Sequence, residues 1–292
     1  MRLSELGEFG LLAELERRGL AREIGDDAAH LSHGLVVTQD LLAEQVHFRR
    51  EWTSWRDLGY KAAAVNLSDL AAMGARPVAL LVALALPPDA EAEAVLELYE
   101  GLNEPVVPVV GGDLSAADRV WISVTAIGRT ERAPGRGGAV PGDVLVVTGA
   151  LGGSAAGLHV LRNGLAGFGD LVARHRRPPY RLGAGELLAP SAHALTDLSD
   201  GILSDAARIA ERSRCRLVVD VDRLPLARGL ERLADEPFWA RGEDYELLAA
   251  LDASDPLVTR FHPVGHCEEG AGVEVRRDGR PVQVTSWEHF RV

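Results

Sequence analysis

Acidic side chains at the ends of apolar runs constrain this chain more than any other feature. Gly25-Asp26-Asp27-Ala28, Thr38-Gln39-Asp40, Ser68-Asp69, Gly111-Gly112-Asp113 and Asp197-Leu198-Ser199-Asp200-Gly201 each stand where an aliphatic segment stops. Any fold of this chain must therefore carry carboxylates at the margins of its core. Without a matching crowd of Lys or Arg, they repel one another unless a hard cation accepts their oxygens. Several Mg²⁺ ions are expected, because Mg²⁺ favours a few carboxylates, retained waters and phosphate oxygens over a closed protein cage. The ligand that brings those oxygens is then a nucleotide.

Composition narrows the rest. A chain of 292 residues, 47% hydrophobic, suits one large or two moderate domains with a real core. A net charge of -12, with no basic run interleaved with aromatics, argues against a nucleic-acid partner. The first residues, Met1 to Arg18, are amphipathic, so no signal peptide is expected. The longest apolar run, Val78 to Leu86, is bracketed by Pro77 and Pro87-Pro88 and falls far short of the ~20 residues that cross a bilayer. It reads as a buried strand, and no membrane association is expected. Cys215 and Cys267 form neither a zinc spacing nor a disulfide framework, which makes the cytoplasm the default compartment. Lys61 is the one lysine among 31 basic residues, and no Gly-rich loop ends in Gly-Lys-Ser/Thr, which excludes a P-loop.

Aliphatic runs ending at Gly, Pro or Asp predict strands at Val36 to Thr38, Val78 to Leu86, Val106 to Val110 and Val120 to Ile127. Between the first two, Ser54-Trp55-Arg56-Asp57 has capping-box form and opens a long helix that ends at Met73-Gly74. Leu58, Ala62, Val65, Asp69 and Met73 share one face of that helix. The Gly-, Pro- and Arg-rich stretch Glu131 to Gly142 separates two halves, giving domains at 1–138 and 139–292. The second half reads as a strand at Val144 to Thr148, helices at Ser154 to Leu161, Gly183 to Leu195 and Ser204 to Ser213, and strands at Leu217 to Val221, Tyr245 to Leu251 and Val273 to Arg276. Asn163 to Arg177 reads as loop with partial helix. The class is α+β, built as two mixed α/β domains.

Each acidic motif has a bland alternative. Asp26-Asp27 and Gly111-Gly112-Asp113 are either turns or ligands, and Asp40 either terminates a strand or joins Thr38 and a backbone carbonyl in an oxygen set. Asp69 on an apolar helix face is costly to bury unpaired, so it either binds metal or pairs with a cation such as Arg76. Two glycines before Asp113 let backbone amides approach a phosphate. Asp197, Ser199 and Asp200 at a helix entry supply more than the single cap a helix needs. Jointly the motifs favour metal, since chance turns rarely gather six acids without basic partners. Arg136 on residue type alone reads as a solvated linker charge or a phosphate contact. Glu243, with the terminal Trp287-Glu288-His289-Phe290, either plugs a core or offers an acid and an aromatic face to a flat cationic ring.

Read in order, Gly25 to Ala29, Val46-His47-Phe48, Asn66 to Ala75, Gly111 to Asp113, Asp197 to Gly201 and Gly242-Glu243-Asp244-Tyr245-Glu246-Leu247 closely resemble the thiamine-monophosphate kinases, over nearly the whole chain. The Asn66 and Asp197 blocks belong to a wider superfamily with aminoimidazole ribonucleotide synthase, selenophosphate synthetase and a hydrogenase-maturation protein. The resemblance implies an aminoimidazole ribonucleotide synthase-like fold with its active site at the domain junction, a homodimer built through the N-terminal domains, and ATP-dependent, Mg²⁺-dependent phosphorylation of thiamine monophosphate to thiamine diphosphate. It implies magnesium ligation by Asp27, Thr38, Gln39, Asp40, Asp69, Asp113, Asp197 and Asp200, with Asp40, Asp69 and Asp113 central to catalysis. Gly112, Asp113, Arg136 and Ser199 would contact ATP, and His47, Glu243 and Trp287 the acceptor. The chain departs from the pattern at Gln39, Leu114 and Arg241. The competing readings are another superfamily member activating an amide or formyl-amine, and a nucleotide-binding protein without catalysis.

Overall fold

The structure is a computed structural model and describes residues 2–22, 24–233 and 236–284. The first half runs α1 (Leu3–Arg17), β1 (Ala29–His30), β2 (Leu35–Ala43), α2 (Trp55–Ala72), β3 (Arg76–Leu86), α3 (Ala92–Asn103), β4 (Val109–Ala116) and β5 (Trp121–Arg129). Its strands form a five-stranded sheet in the order β1-β2-β5-β3-β4, in which the β3–β4 pair alone is parallel. The second half runs β6 (Val144–Val147), α4 (Gly153–Asn163), α5 (Gly169–Arg176), α6 (Leu182–Leu188), β7 (Ala194–Asp197), α7 (Ile202–Ser213), β8 (Arg216–Asp220), β9 (Leu247–Leu251), α8 (Leu257–Arg260), β10 (His262–Glu268), β11 (Gly272–Arg277) and β12 (Arg280–Pro281). These strands form a seven-stranded sheet in the order β12-β11-β8-β10-β6-β9-β7. This is the expected α+β class with two mixed α/β units.

Helix α2 organises both halves. Ser54 caps it, its side chain accepting from the Asp57 amide at 3.0 Å, and Gly74 follows it with φ 60, where a left-handed turn ends the helix. Leu58, Ala62, Leu67 and Leu70 pack into the core of the first sheet with Leu80, Val82, Ile122 and Val124. Ala71 and Ala72 pack into the second half with Val146, Leu188, Leu195 and Leu247. A helix buried on both sides must be small-sided, and the alanines provide this. Two glycines let α2 and α3 cross closely: a Cβ on Gly59 would fall 1.9 Å from the Leu98 carbonyl oxygen, and one on Gly101 1.9 Å from that of Arg56.

Period-two alternation in the first sheet decides which face each residue serves. Val36, Thr38, Asp40 and Leu42 look inward to α2, in register with Gly128, Ala126, Val124 and Ile122 of β5. Leu41, Leu81 and Trp121 look outward and are exposed.

Three expectations change. The predicted helix Gly183 to Leu195 is the shorter α6 followed by β7, because Ala194 and Leu195 pair with Ala250 and Ala249 of β9 despite being good helix formers. The strand predicted at Val106 to Val110 begins at Val109 and continues through Gly111-Gly112-Asp113. Gly112 is needed there, since a Cβ would lie 1.8 Å from the Val82 carbonyl oxygen, so the diglycine is strand and not turn. The partial helix expected within Asn163 to Arg177 is α5, whereas β10 is a strand not expected, because it carries His, Pro and Gly that mask its strand character.

Candidate active site

At the junction of the halves the chain ends several elements at one point. Thr38 and Asp40 project from the covered face of β2, Ser68 and Asp69 from the last turns of α2, and Asp197 from the end of β7, while Asp27 arrives on the loop before β1. Carboxylate oxygens of Asp27, Asp69 and Asp197 all lie within 4.8 Å of one another. Hydroxyls hold the acids in place: Thr38 donates to Asp69 at 2.6 Å and Ser68 to Asp197 at 2.7 Å, while Thr196 donates to Asp27 at 3.0 Å. Asn66 Oδ1 accepts from the Asp40 amide at 3.0 Å. Asp69 is not paired to Arg76, which extends to Glu186 instead.

The electrostatics are those of an unfinished site. Burial first, and then repulsion from Asp40, Asp197 and Asp27, drives the Asp69 carboxyl well above the carboxylate range. Asp197 is driven up by burial, then by Asp27 and Asp205. Asp40 is raised to about 6 by burial and by its neighbours Asp200 and Asp27. Asp27 Oδ2 and Asp197 Oδ1 are buried with no hydrogen-bond partner among the described residues. An orphaned carboxylate oxygen in each half, aimed into one cluster of hard oxygen donors, fits a hard divalent cation.

The cluster has basic neighbours, contrary to the expectation of unpartnered acids. Arg136 is buried, not solvated, and bonds Asp27 Oδ1 at 2.5 Å, Thr196 Oγ1 at 3.1 Å and the Gly25 carbonyl at 3.2 Å. Its backbone amide donates to Asp26 at 2.8 Å, tying the interdomain link to the first acidic motif. Arg208, two turns along α7, pairs with Asp200. Arg136 reaches Asp27 across 109 residues of chain, whereas Arg208 lies eight residues from Asp200.

The remaining expected residues fall in different places. Gln39 alternates to the outer face, where its side chain donates to Ser123 at 2.9 Å, so only its backbone can turn toward the acids. Asp113 is exposed on β4, in register with Ala83, Ser123 and Leu41, on the face opposite to Asp40 and Asp69. Within one chain it is not gathered with the other acids. His47 lies in the turn after β2, its Nδ1 accepting from the Ala43 amide at 3.0 Å. Ser199 follows β7, and its carbonyl accepts from the Glu243 amide at 2.7 Å. Arg241 is solvated and directed to Glu236, away from the cluster. Trp287 lies outside the described residues.

Glu243 belongs to a second cluster. Glu243 and Tyr245 both adopt left-handed backbone, φ 67 and φ 51, at a cost of about 1 kcal/mol or more each for non-glycine residues. Asp244 between them accepts from the amides of Gly152 at 2.6 Å and Ser154 at 3.3 Å, capping α4. Burial raises its carboxyl to about 7. Glu243 is gripped by Lys61 at 3.0 Å and His175 at 3.2 Å. Tyr245 is buried, and burial first, then the charges of Glu243, Asp40, Asp197 and Asp69, drives its hydroxyl well above the ordinary range.

Sequence reading missed Asp205, Thr196, Lys61, His175 and Tyr245. Asp205 is fully buried in the first turn of α7, accepts from the Asp200 amide at 3.2 Å and is pushed up to about 8 by burial and Asp200. An acid in a first helical turn reads as an ordinary dipole partner, so nothing in its local sequence marks it.

Comparison with known proteins places this geometry. Residues 25–130 match the model of the AIR synthase related protein N-terminal domain, and residues 140–261 match that of the C-terminal domain. The fold and its junctional acids thus define the AIR synthase related class. A hydrogenase maturation protein from E. coli, 21% identical over 94% of this chain and 96% of its own with a TM-score of 0.72, shares that fold. Within the class, the thiamine-monophosphate kinase of Aquifex aeolicus is 37% identical over 99% of this chain and its own full length. That of Mycobacterium tuberculosis is 38% identical over 92% of this chain and 87% of its own. The solved structure titled AaThiL complexed with AMPPCP and TMP superposes with a TM-score of 0.92, at 36% identity and 99% coverage of both chains. The chain belongs to the thiamine-monophosphate kinase family.

Proposed function

We propose that this protein transfers the γ-phosphoryl group of ATP directly to the phosphate of thiamine monophosphate, giving thiamine diphosphate and ADP. The observation that carries the reading is the convergence of Asp27, Asp69 and Asp197 from both halves within 4.8 Å, with buried oxygens left over on two of them. The related structure with an ATP analogue and TMP supports the choice of both substrates. Asp27, Asp40, Asp69, Asp197 and Asp200, with Thr38 and the Gln39 carbonyl, would hold Mg²⁺. Bound there, Mg²⁺ would neutralise the phosphate charges and help align attacking oxygen, phosphorus and leaving oxygen.

The chain's own residues prepare that alignment. A phosphate acceptor, with second pKa ~6, is ionised at neutral pH and needs no general base, which agrees with a cluster lacking a catalytic His. Thr38, Ser68 and Thr196 fix the orientation of the carboxylates before substrate arrives. Arg136 holds Asp27 and stands ready for a nucleotide phosphate, with Ser199 on the loop beyond Asp197. Glu243, with His47 and Trp287, would receive the thiamine end of the acceptor.

A homodimer through the first sheet is part of this proposal. Its outer face leaves Leu41, Leu81 and Trp121 exposed by 49%, 36% and 39%, an apolar patch that a second copy would cover. For Asp113 and Gly112 to serve ATP and its metal, that outer face must contribute to a site, which the dimer would allow. We place the domain boundary at 138/139, between the last strand of the first sheet and the first of the second, and the enzyme in the cytoplasm, in keeping with its two free thiols. No helix among the described residues is long and apolar enough to cross a membrane.

The test is ADP release from ATP and Mg²⁺ with thiamine monophosphate, thiamine and an aminoimidazole ribonucleotide precursor offered in parallel. Stimulation by thiamine monophosphate alone is expected. Stimulation by the precursor instead would move the protein to another branch of the class, and nucleotide binding without turnover on any acceptor would make it a binding protein.

A further inference from the structure

Lys61 is the chain's one lysine, and it is 3% exposed on α2. An ammonium in such a place needs a strong reason, because burying it unpaired is among the costliest things a fold can do. Its Nζ lies 3.0 Å from Glu243 Oε1. The other carboxylate oxygen, Oε2, lies 3.2 Å from His175 Nδ1, and that nitrogen is 3.1 Å from Ser154 Oγ. Both oxygens of Glu243 are thus held from opposite sides, one by α2 of the first half and one by α5 of the second. The side chain nevertheless keeps 27% of its surface open.

The position of Lys61 along α2 matters as much as its charge. Seven residues on, Ser68 occupies the same face and donates to Asp197 at 2.7 Å. Two helical turns, ~10 Å of rise, therefore separate the point where α2 grips Glu243 from the point where it grips the acid cluster. Both grips reach across to the second half, so one rigid helix sets the distance between the two ends of the cleft.

We propose that Lys61 is a positioning residue for the acceptor: with His175 it fixes the Glu243 carboxylate two turns from the acid cluster, so that a substrate with a cationic ring and a phosphate is held at both ends. The proposal rests on the reading of Glu243 as part of the acceptor site. In this reading Lys61 acts on the acceptor through Glu243. Its removal should loosen the acceptor while sparing ATP.

The experiment compares Lys61→Met, Lys61→Arg, His175→Gln, Glu243→Gln and the Lys61→Met/Glu243→Gln double variant by steady-state ADP release. Lys61→Met and His175→Gln should each raise KM for thiamine monophosphate by about 10-fold, with KM for ATP and kcat within about twofold, as loss of one charge-assisted contact to the binding carboxylate implies. Lys61→Arg should recover most of that loss. The double variant should be no worse than Glu243→Gln alone, because Lys61 acts through Glu243. Equal weakening of both substrates, or additive losses in the double variant, would overturn the role of Lys61. Wild-type protein indifferent to thiamine monophosphate would instead overturn the acceptor reading beneath it. His175→Gln keeps the test available if Lys61→Met does not fold.

Discussion

The two clusters that α2 joins are built on opposite principles. Around Glu243 every charge is answered: Lys61 and His175 take its two oxygens, and the carboxyl is held far below the usual range even though burial works against it. Around Asp69 the charges are not answered. Arg136 pairs with Asp27 and Arg208 with Asp200, yet the carboxyls of Asp69, Asp197 and Asp40 are all driven upward. A finished cluster can recognise a ligand without help. An unfinished one suits a cation, and under the proposed function that contrast would separate the acceptor end of the cleft from its phosphate end.

Neutralising one acid is the harshest way to break the comparison. Asp69→Asn should cut turnover by about 10³-fold, the scale of losing a transition-state charge contact, yet leave the metal-free protein as stable as wild type or slightly more so. Asp40→Asn should behave alike. Turnover assays paired with thermal melts in EDTA decide this, and a variant that keeps wild-type ADP release would remove these acids from the chemistry.

Arg136 should respond in the reverse sense. Arg136→Met leaves Asp27 buried without its cation, and a loss of about 3 kcal/mol is expected from urea unfolding in EDTA. Smaller still is the effect of the metal on wild type: millimolar Mg²⁺ should raise the melting midpoint by several degrees, about 2 kcal/mol of linkage at 30-fold excess over Kd. Asp197→Asn should abolish that rise. An unchanged shift would detach the second half from the metal site.

The mildest test is pH. Asp205 holds its proton in the folded protein up to about 8, far above the ordinary carboxylate value. The folded state therefore binds more protons than the unfolded chain between pH 4 and 8, and the stability this contributes is fully present below about 4 and lost as pH rises toward 8. Asp205→Asn cannot titrate, so its stability in EDTA should fall less steeply over that window, by up to about one proton in slope. Parallel pH curves for the two proteins would show that Asp205 ionises freely.

Much of this arrangement was legible in the chain itself. Ser54, the alanines and Gly74 gave α2 its ends and its narrow sides, and the acids at the ends of apolar runs gave the cluster. What escaped were partnerships across long stretches of chain. Arg136 finds Asp27 across 109 residues and Lys61 finds Glu243 across 182, separations at which local pattern carries no information. Alternation also needed the strand limits before it could speak: β4 runs through Gly111-Gly112-Asp113, and only this sends Asp113 to the outer face. β7 was hidden because Ala and Leu favour helix until an edge of β9 offers them hydrogen bonds.

The most direct measurement follows the phosphoryl group itself. ATP labelled at the γ-phosphate, incubated with the protein, Mg²⁺ and thiamine monophosphate, should place its label in thiamine diphosphate one for one with ADP formed, and EDTA should stop the transfer. Label recovered only as inorganic phosphate, or ADP formed without labelled thiamine diphosphate, would contradict direct transfer between the two ends of the cleft.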